Sequence, residues 1–265
     1  MGQIIEHRDD LNVRSLTVKL TVLGSGGWIP TNSRQTSCYL ITSGNEALVL
    51  DAGTGLGALH INPALLNGVE TVTVVLSHFH LDHVTGLGFV SARWLGGREL
   101  TIAGPGSQSY DRPTRAIVEA QLLASPLQTA SPVALARWAE LGWDTVSFAG
   151  HEVETWEQPR HTLPSAGFRV GDRVAYCTDT EFDPQTIRRT AGVTTLLHEA
   201  WEPVDAERGH TSGEEVGRIA VEAGVSRLVL THNHPLPGVP ERTAAAAQAL
   251  FTAAVCATDG AILEL

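Results

Sequence analysis

Thr71-Val72-Thr73-Val74-Val75-Leu76-Ser77-His78-Phe79-His80-Leu81-Asp82-His83 is the segment that decides how this chain folds. The run from Thr71 to Leu76 is short, apolar and β-branched, the composition of a buried strand. Four potential metal ligands, His78, His80, Asp82 and His83, then fall within six residues. In extended chain, residues two apart point the same way, so His78 and His80 can grip one cation. Asp82 and His83 are adjacent, turn elsewhere and can hold a second. The spacing predicts a site for two cations at the end of a strand.

Outward from this segment, other His and Asp residues stand where apolar runs end. Asp51 follows Ala47 to Leu50, His161 lies beyond Glu152 to Trp156, Asp179 follows Arg173 to Cys177, and His232 follows Arg227 to Leu230. Strand ends along one sheet edge are where ligands can gather. His161 is followed by Pro164 and a loop, which leaves His151 as a competing candidate. His7, His60 and His234 read as ordinary surface or turn histidines, although His234 is two residues from His232.

The alternation of Leu16, Val18, Leu20 and Val22 with polar residues predicts a half-buried strand over Leu16 to Leu23. Further strands are expected at Ser37 to Thr42, Glu99 to Ala103, Phe168 to Val170, Thr194 to Leu197 and Ala261 to Leu265. Helices are expected at Pro113 to Ala124, Pro132 to Leu141, Glu214 to Ala223 and Glu241 to Cys256. Ser212-Gly213-Glu214-Glu215 has the spacing of a capping box, and Val216, Ile219, Ala220 and Ala223 share the face that follows it. Strands without regular helical crossovers predict a mixed sheet system. No break in composition divides residues 1–265, so one domain is expected.

Composition closes several alternatives. With 265 residues and 43% hydrophobic content the chain can bury a substantial core, and no apolar run approaches the roughly 18 residues of a membrane span. A net charge of −11 disfavours a long polyanion such as RNA. Lys19 is the only lysine, so no G-K-[ST] phosphate loop exists. Gly24-Ser25-Gly26-Gly27-Trp28-Ile29 lacks the third glycine of a dinucleotide fingerprint, and neither G-x-S-x-G nor H-E-x-x-H occurs. Three scattered cysteines and an N-terminus without a basic-then-apolar leader predict a cytoplasmic protein.

The H-x-H-x-D-H pattern of His78 to His83 resembles the signature of the metallo-β-lactamase superfamily. Leu48-Val49-Leu50-Asp51-Ala52-Gly53 is similar to its strand-Asp-Gly motif, and His161, Asp179 and His232 follow in its ligand order. The resemblance implies an α/β fold, a four-layer αββα sandwich of two mixed β-sheets flanked by helices. It also implies two zinc ions, although nitrogen and oxygen ligands accept manganese or iron as well. One would be held by His78, His80 and His161 and the other by Asp82, His83 and His232, with Asp179 bridging. Asp51 would accept a hydrogen bond from a ligand histidine.

Two further features are similar to the phosphodiesterase branch that includes ribonuclease Z. One is the glycine-rich loop Leu23 to Arg34. The other is Leu197-His198-Glu199-Ala200 with Gly209-His210-Thr211-Ser212. Glu199 and His210 would then be a catalytic pair, the carboxylate orienting an imidazole that assists the leaving oxygen. Asp82 joins them as a candidate catalytic residue.

Where ribonuclease Z carries a long tRNA-gripping arm, Gly171-Asp172 leads from Gly167–Val170 directly into Arg173-Val174-Ala175-Tyr176, a two-residue turn. The expectation is thus a zinc-dependent hydrolase of small phosphoesters such as cyclic nucleotides, in the homodimeric form the resemblance implies. Alternatives are tRNA 3′-processing, lactone or thioester hydrolysis, and a noncatalytic metal-stabilised scaffold.

Overall fold

Runs of β-branched and apolar residues build two seven-stranded mixed sheets in a computed structural model that describes residues 18–123, 133, 136–148 and 151–265. The first contains β1 (Lys19–Gly24), β2 (Cys38–Ser43), β3 (Glu46–Leu50), β4 (Thr71–Val75), β5 (Glu99–Gly104), β6 (Arg137–Glu140) and β14 (Ile262–Glu264), in the order β14-β1-β2-β3-β4-β5-β6. The second contains β7 (Thr145–Phe148), β8 (His151–Gln158), β9 (Ser165–Val170), β10 (Val174–Cys177), β11 (Thr195–Glu199), β12 (Arg227–Thr231) and β13 (Ala254–Cys256), in descending order from β13 to β7. β3 to β6 run parallel, as do β10 to β13, whereas the hairpin strands pair antiparallel.

Period-two alternation sorts each strand's side chains between an inner and an outer face. Leu20, Val22, Ile41, Leu48, Leu50 and Val75 meet Phe168, Val170, Val174, Tyr176, Leu197 and Val229 between the sheets. On the outer face of the first sheet, Leu40, Val49, Val72, Val74 and Ile102 pack under Leu56, Leu59, Leu87 and Trp94. On the outer face of the second, Ala175, Leu196, Leu228 and Leu230 pack under Val216, Ile219, Ala220 and Ala223 of the helix Gly213–Ala223, with Ala244 and Ala247 of the helix Val239–Leu250. The result is the expected αββα sandwich. Ser212 caps the first of these helices in a complete capping box with Glu215.

Several local expectations are corrected. Arg137–Glu140, expected in the helix Pro132 to Leu141, is strand β6, because the open edge of β5 offers it a parallel ladder. Pro132, Ala134 and Leu135 lie outside the described residues, as do His7, Leu16, Thr17 and Ala124. The helix expected over Glu241 to Cys256 begins at Val239 and stops at Leu250, where Phe251 turns extended and Ala254–Cys256 completes the edge of the second sheet. β11 runs through His198 and Glu199 instead of ending at Leu197. Thr21, expected on a solvated face, is buried. The helix expected from Pro113 is α-helical over Thr114–Val118 and continues as a π-turn over Glu119–Leu123. The β9–β10 turn has three residues, 171–173, since Val170 pairs with Val174. No helix among the described residues is long and apolar enough to cross a membrane.

Candidate metal centre

The parallel strands β3 and β4 of one sheet and β10, β11 and β12 of the other deliver their C-terminal ends to one cleft. His78 and His80 leave β4 in extended chain, and a short helical turn, Leu81–Val84, swings Asp82 and His83 to the other side. Asp51 stands directly after β3, Asp179 two residues after β10, and His232 directly after β12. All three have left-handed backbone, with φ of 58°, 48° and 50°. For residues other than glycine this costs about 1–3 kcal/mol each and persists only where the surroundings enforce it. Here it turns side chains off the strand ends toward one another.

The structure brings His78, His80, His161 and Asp179 together with donor atoms within 4.8 Å, and does the same for Asp82, His83 and His232. Asp179 faces both groups. Its Oδ2 lies 3.6 Å from His78 Nε2 and 3.5 Å from His161 Nε2, and its Oδ1 lies 3.2 Å from His83 Nε2 and 3.4 Å from His232 Nε2. Asp82 Oδ2 is 3.4 Å from His83 Nε2 and 3.2 Å from His232 Nε2, and accepts the backbone N–H of Trp28 at 2.7 Å. The seven expected ligand residues therefore converge, and the carboxylate expected to bridge stands between the two groups.

Neighbouring groups fix which nitrogen each ring offers. His83 Nδ1 donates to Asp51 Oδ2 at 2.8 Å, and His161 Nδ1 donates to the Gly209 carbonyl at 2.9 Å, so both present Nε2 to the cleft. Buried Asp51 also accepts from Ser77 N at 2.7 Å, Ser77 Oγ at 2.8 Å and Tyr176 OH at 2.7 Å. His78 Nε2 and His83 Nε2 are buried without a hydrogen-bond partner among the described residues, a costly state that a bound cation relieves. Nitrogen and carboxylate donors in two groups sharing one aspartate fit a pair of divalent cations of the zinc, manganese or iron type.

The electrostatics agree. Burial opposes ionisation of Asp82 and Asp179, yet the adjacent histidines outweigh it and hold both carboxyls well below the usual range. Burial, with His83 next, depresses His78. His83 is buried too, but Asp82, Asp179 and Asp51 push it well above an ordinary histidine. A cation entering here must displace that proton.

Beside the cluster, His210 Nδ1 lies 2.7 Å from Glu199 Oε2, and Glu199 Oε1 accepts the Thr180 N–H. Burial works against protonation of His210, but the Glu199 carboxylate prevails and the ring is pushed up to about 9. His210 shares a third close group with Asp179 and His232. Trp201 covers this pair, stacked on His210 at 4.9 Å between ring centroids.

Some of the cleft was not anticipated. Trp28, Trp201 and Arg208 line it, and so does His234, whose ring lies 4.4 Å from Trp201 although its sequence context suggests an ordinary turn. Its spacing of two from His232 was the available signal. His60 does sit at the surface, bonded to Ser91, and the competing candidate His151 opens β8, its side chain lying outside what the structure describes.

The beta-lactamase superfamily domain model matches residues 46–233, and the chain belongs to that family of metal-dependent hydrolases. Among its relatives, the uncharacterized protein Rv1339 of Mycobacterium tuberculosis is 31% identical, over 89% of this chain and 88% of its own length. A ribonuclease Z of Bacteroides fragilis is 27% identical over 81% of this chain and 88% of its own. The crystal structure of the metallo-beta-lactamase fold protein YhfI from Bacillus subtilis covers 95% of this chain and 100% of that chain, with a TM-score of 0.76 and 26% identity.

Proposed function

We propose that this protein is a cytoplasmic, single-domain dinuclear zinc phosphodiesterase acting on small phosphodiesters, cyclic nucleotides and cyclic phosphates foremost, and working as a homodimer. His78, His80, His161 and Asp179 would hold one ion, and Asp82, His83, His232 and Asp179 the other. Bound divalent ions supply Lewis acidity, making water nucleophilic near neutral pH and offsetting charge on the reacting phosphoryl group.

The observation that carries the proposal is the Glu199–His210 pair, 2.7 Å apart at the lip of the cleft. A lone histidine at this lip would titrate near neutrality. Held by a buried carboxylate, His210 stays protonated and can donate to the departing oxygen or stabilise phosphoryl charge. Asp82, ionised by His83 and His232, orients the attacking water through a hydrogen bond. Asp51 keeps His83 Nε2 aimed inward through the bond to Nδ1.

tRNA 3′-processing is the second reading, favoured by the ribonuclease Z relative. It ranks lower because a tight β9–β10 hairpin stands where the arm is expected, and because net charge is −11. The test is a set of parallel assays with a chromogenic phosphodiester, a lactone and a thioester at defined metal loading. His210→Ala should keep its metal and lose most phosphodiester turnover, roughly the 100- to 10,000-fold of a general acid. Asp179→Ala should lose metal as well. Full activity in His210→Ala would overturn the assignment.

A further inference from the structure

Trp28 stands at φ 63°, a left-handed conformation natural to glycine and strained for tryptophan. Its backbone N–H bonds Asp82, but a glycine would make that bond equally well. The residue is 66% exposed, and its indole makes no ring contact with any described residue. Backbone conformation, hydrogen bonding and burial therefore all fail to explain why an indole occupies this position.

Its location supplies a reason. Trp28 forms part of the wall of the metal-centre cleft, about 440 Å³ in volume, within the ~300–1,000 Å³ of small-molecule sites. The loop that carries it is braced. Ser25 N and Gln35 N donate to Asp259 at 2.9 and 2.6 Å, and Gly27 N donates to the Asn233 carbonyl at 3.0 Å. Gly27 also packs so tightly on His232 that an added Cβ would come within 2.4 Å of the ring. The backbone that presents the indole at the rim of the cleft is thus held in place. Trp201, the other tryptophan of the cleft, is buried against His210 and His234.

A second group on the wall has no structural use either. Arg208 is exposed, with no ion-pair or hydrogen-bond partner among the described residues. One free guanidinium suits one phosphate, which it can bind through two parallel N–H bonds. The −11 net charge works against longer polyanions.

The geometry points to a nucleoside phosphodiester with a single phosphate linkage as the substrate class, its base stacked on Trp28 and a nonbridging phosphoryl oxygen held by Arg208. This specificity rests on the phosphodiesterase assignment, and its test separates the two. Hydrolysis of cyclic adenosine monophosphate is compared with that of the same cyclic ribose phosphate carrying a methyl group in place of adenine. In Trp28→Ala and Trp28→Leu the ratio of the two kcat/KM values falls about tenfold through KM, equal to ~1.4 kcal/mol, within the range for stacking one base. Trp28→Phe and Trp28→Tyr keep the ratio, and Arg208→Gln raises KM for both compounds alike.

Calorimetric binding of adenosine monophosphate supplies a readout without turnover, and Trp28→Ala weakens it by a similar factor. Phosphodiester hydrolysis with an unchanged ratio in Trp28→Ala, or a ratio not kept by Trp28→Phe, overturns the base-stacking role and leaves the phosphodiesterase intact. Nucleotide binding that depends on Trp28 in a protein that hydrolyses only lactones or thioesters does the opposite. Absence of both defeats both.

Discussion

Replacing Asp51 by asparagine isolates the support beneath the metal centre, because asparagine adopts the left-handed backbone of this position at least as readily as aspartate. Shape and backbone strain are therefore kept, and only charge and hydrogen bonding change. The carboxylate accepts four bonds, one at Oδ1 from Ser77 N and three at Oδ2 from Ser77 Oγ, Tyr176 OH and His83 Nδ1. An amide has one oxygen. Its less costly orientation gives that oxygen to the three donors and sets the NH2 group against the Ser77 N–H, which is then buried and unpaired.

That orphaned donor costs ~1–3 kcal/mol, and the three remaining bonds lose their charge assistance, which roughly doubles a bond's strength. The urea midpoint of the metal-free protein should fall accordingly. His83 also becomes a weaker donor toward a cation, so metal affinity measured by chelator competition should drop ~10- to 100-fold. An Asp51→Asn protein with native midpoint and native metal affinity would refute the view that Asp51 aims and charges His83.

Three other perturbations follow from the geometry. Gly27→Ala drives a methyl group into the His232 ring, so thermal stability should fall by the ~1–3 kcal/mol of overpacking, and bound metal measured by elemental analysis should fall with it. Ser212→Ala removes the hydroxyl that accepts the Glu215 N–H while the Ser212 N–H keeps its bond to the Glu215 carboxylate, and the loss of that half of the capping box should cost ~0.5–2 kcal/mol in denaturant unfolding. Chelation should abolish hydrolysis, lower the melting temperature and, on reloading at neutral pH in weak buffer, release protons from the His83 neighbourhood. A melting temperature indifferent to chelator would count against a cation at this centre.

The architecture was legible where local pattern and tertiary demand agree. The apolar run before His78 and the capping box at Ser212 are local signals that the tertiary structure has no reason to override, whereas the alternation in β1 marks the strand but not the burial of Thr21. Arg137–Glu140 and Ala254–Cys256 were not legible, because each is a strand only through the parallel edge it completes. The convergence of the candidate ligands could be read because imidazoles and carboxylates at strand ends carry their chemistry in their identity. Trp28 and Arg208 could not, since only folding sets them around a common cavity, and His234 offered no more than its spacing of two from His232. The left-handed turns at Asp179 and His232 are equally silent in sequence, neither position being a glycine.

β13 and β14 are separated by a few residues yet close opposite sheets, and Asp259 lies in the crossing between them, clasping Ser25 across 234 positions of chain. On a translating ribosome, the glycine-rich loop emerges 234 positions before its anchor exists. Nascent chains would therefore carry a slack, half-built cleft, with ion capture deferred until Asp259 has left the exit tunnel.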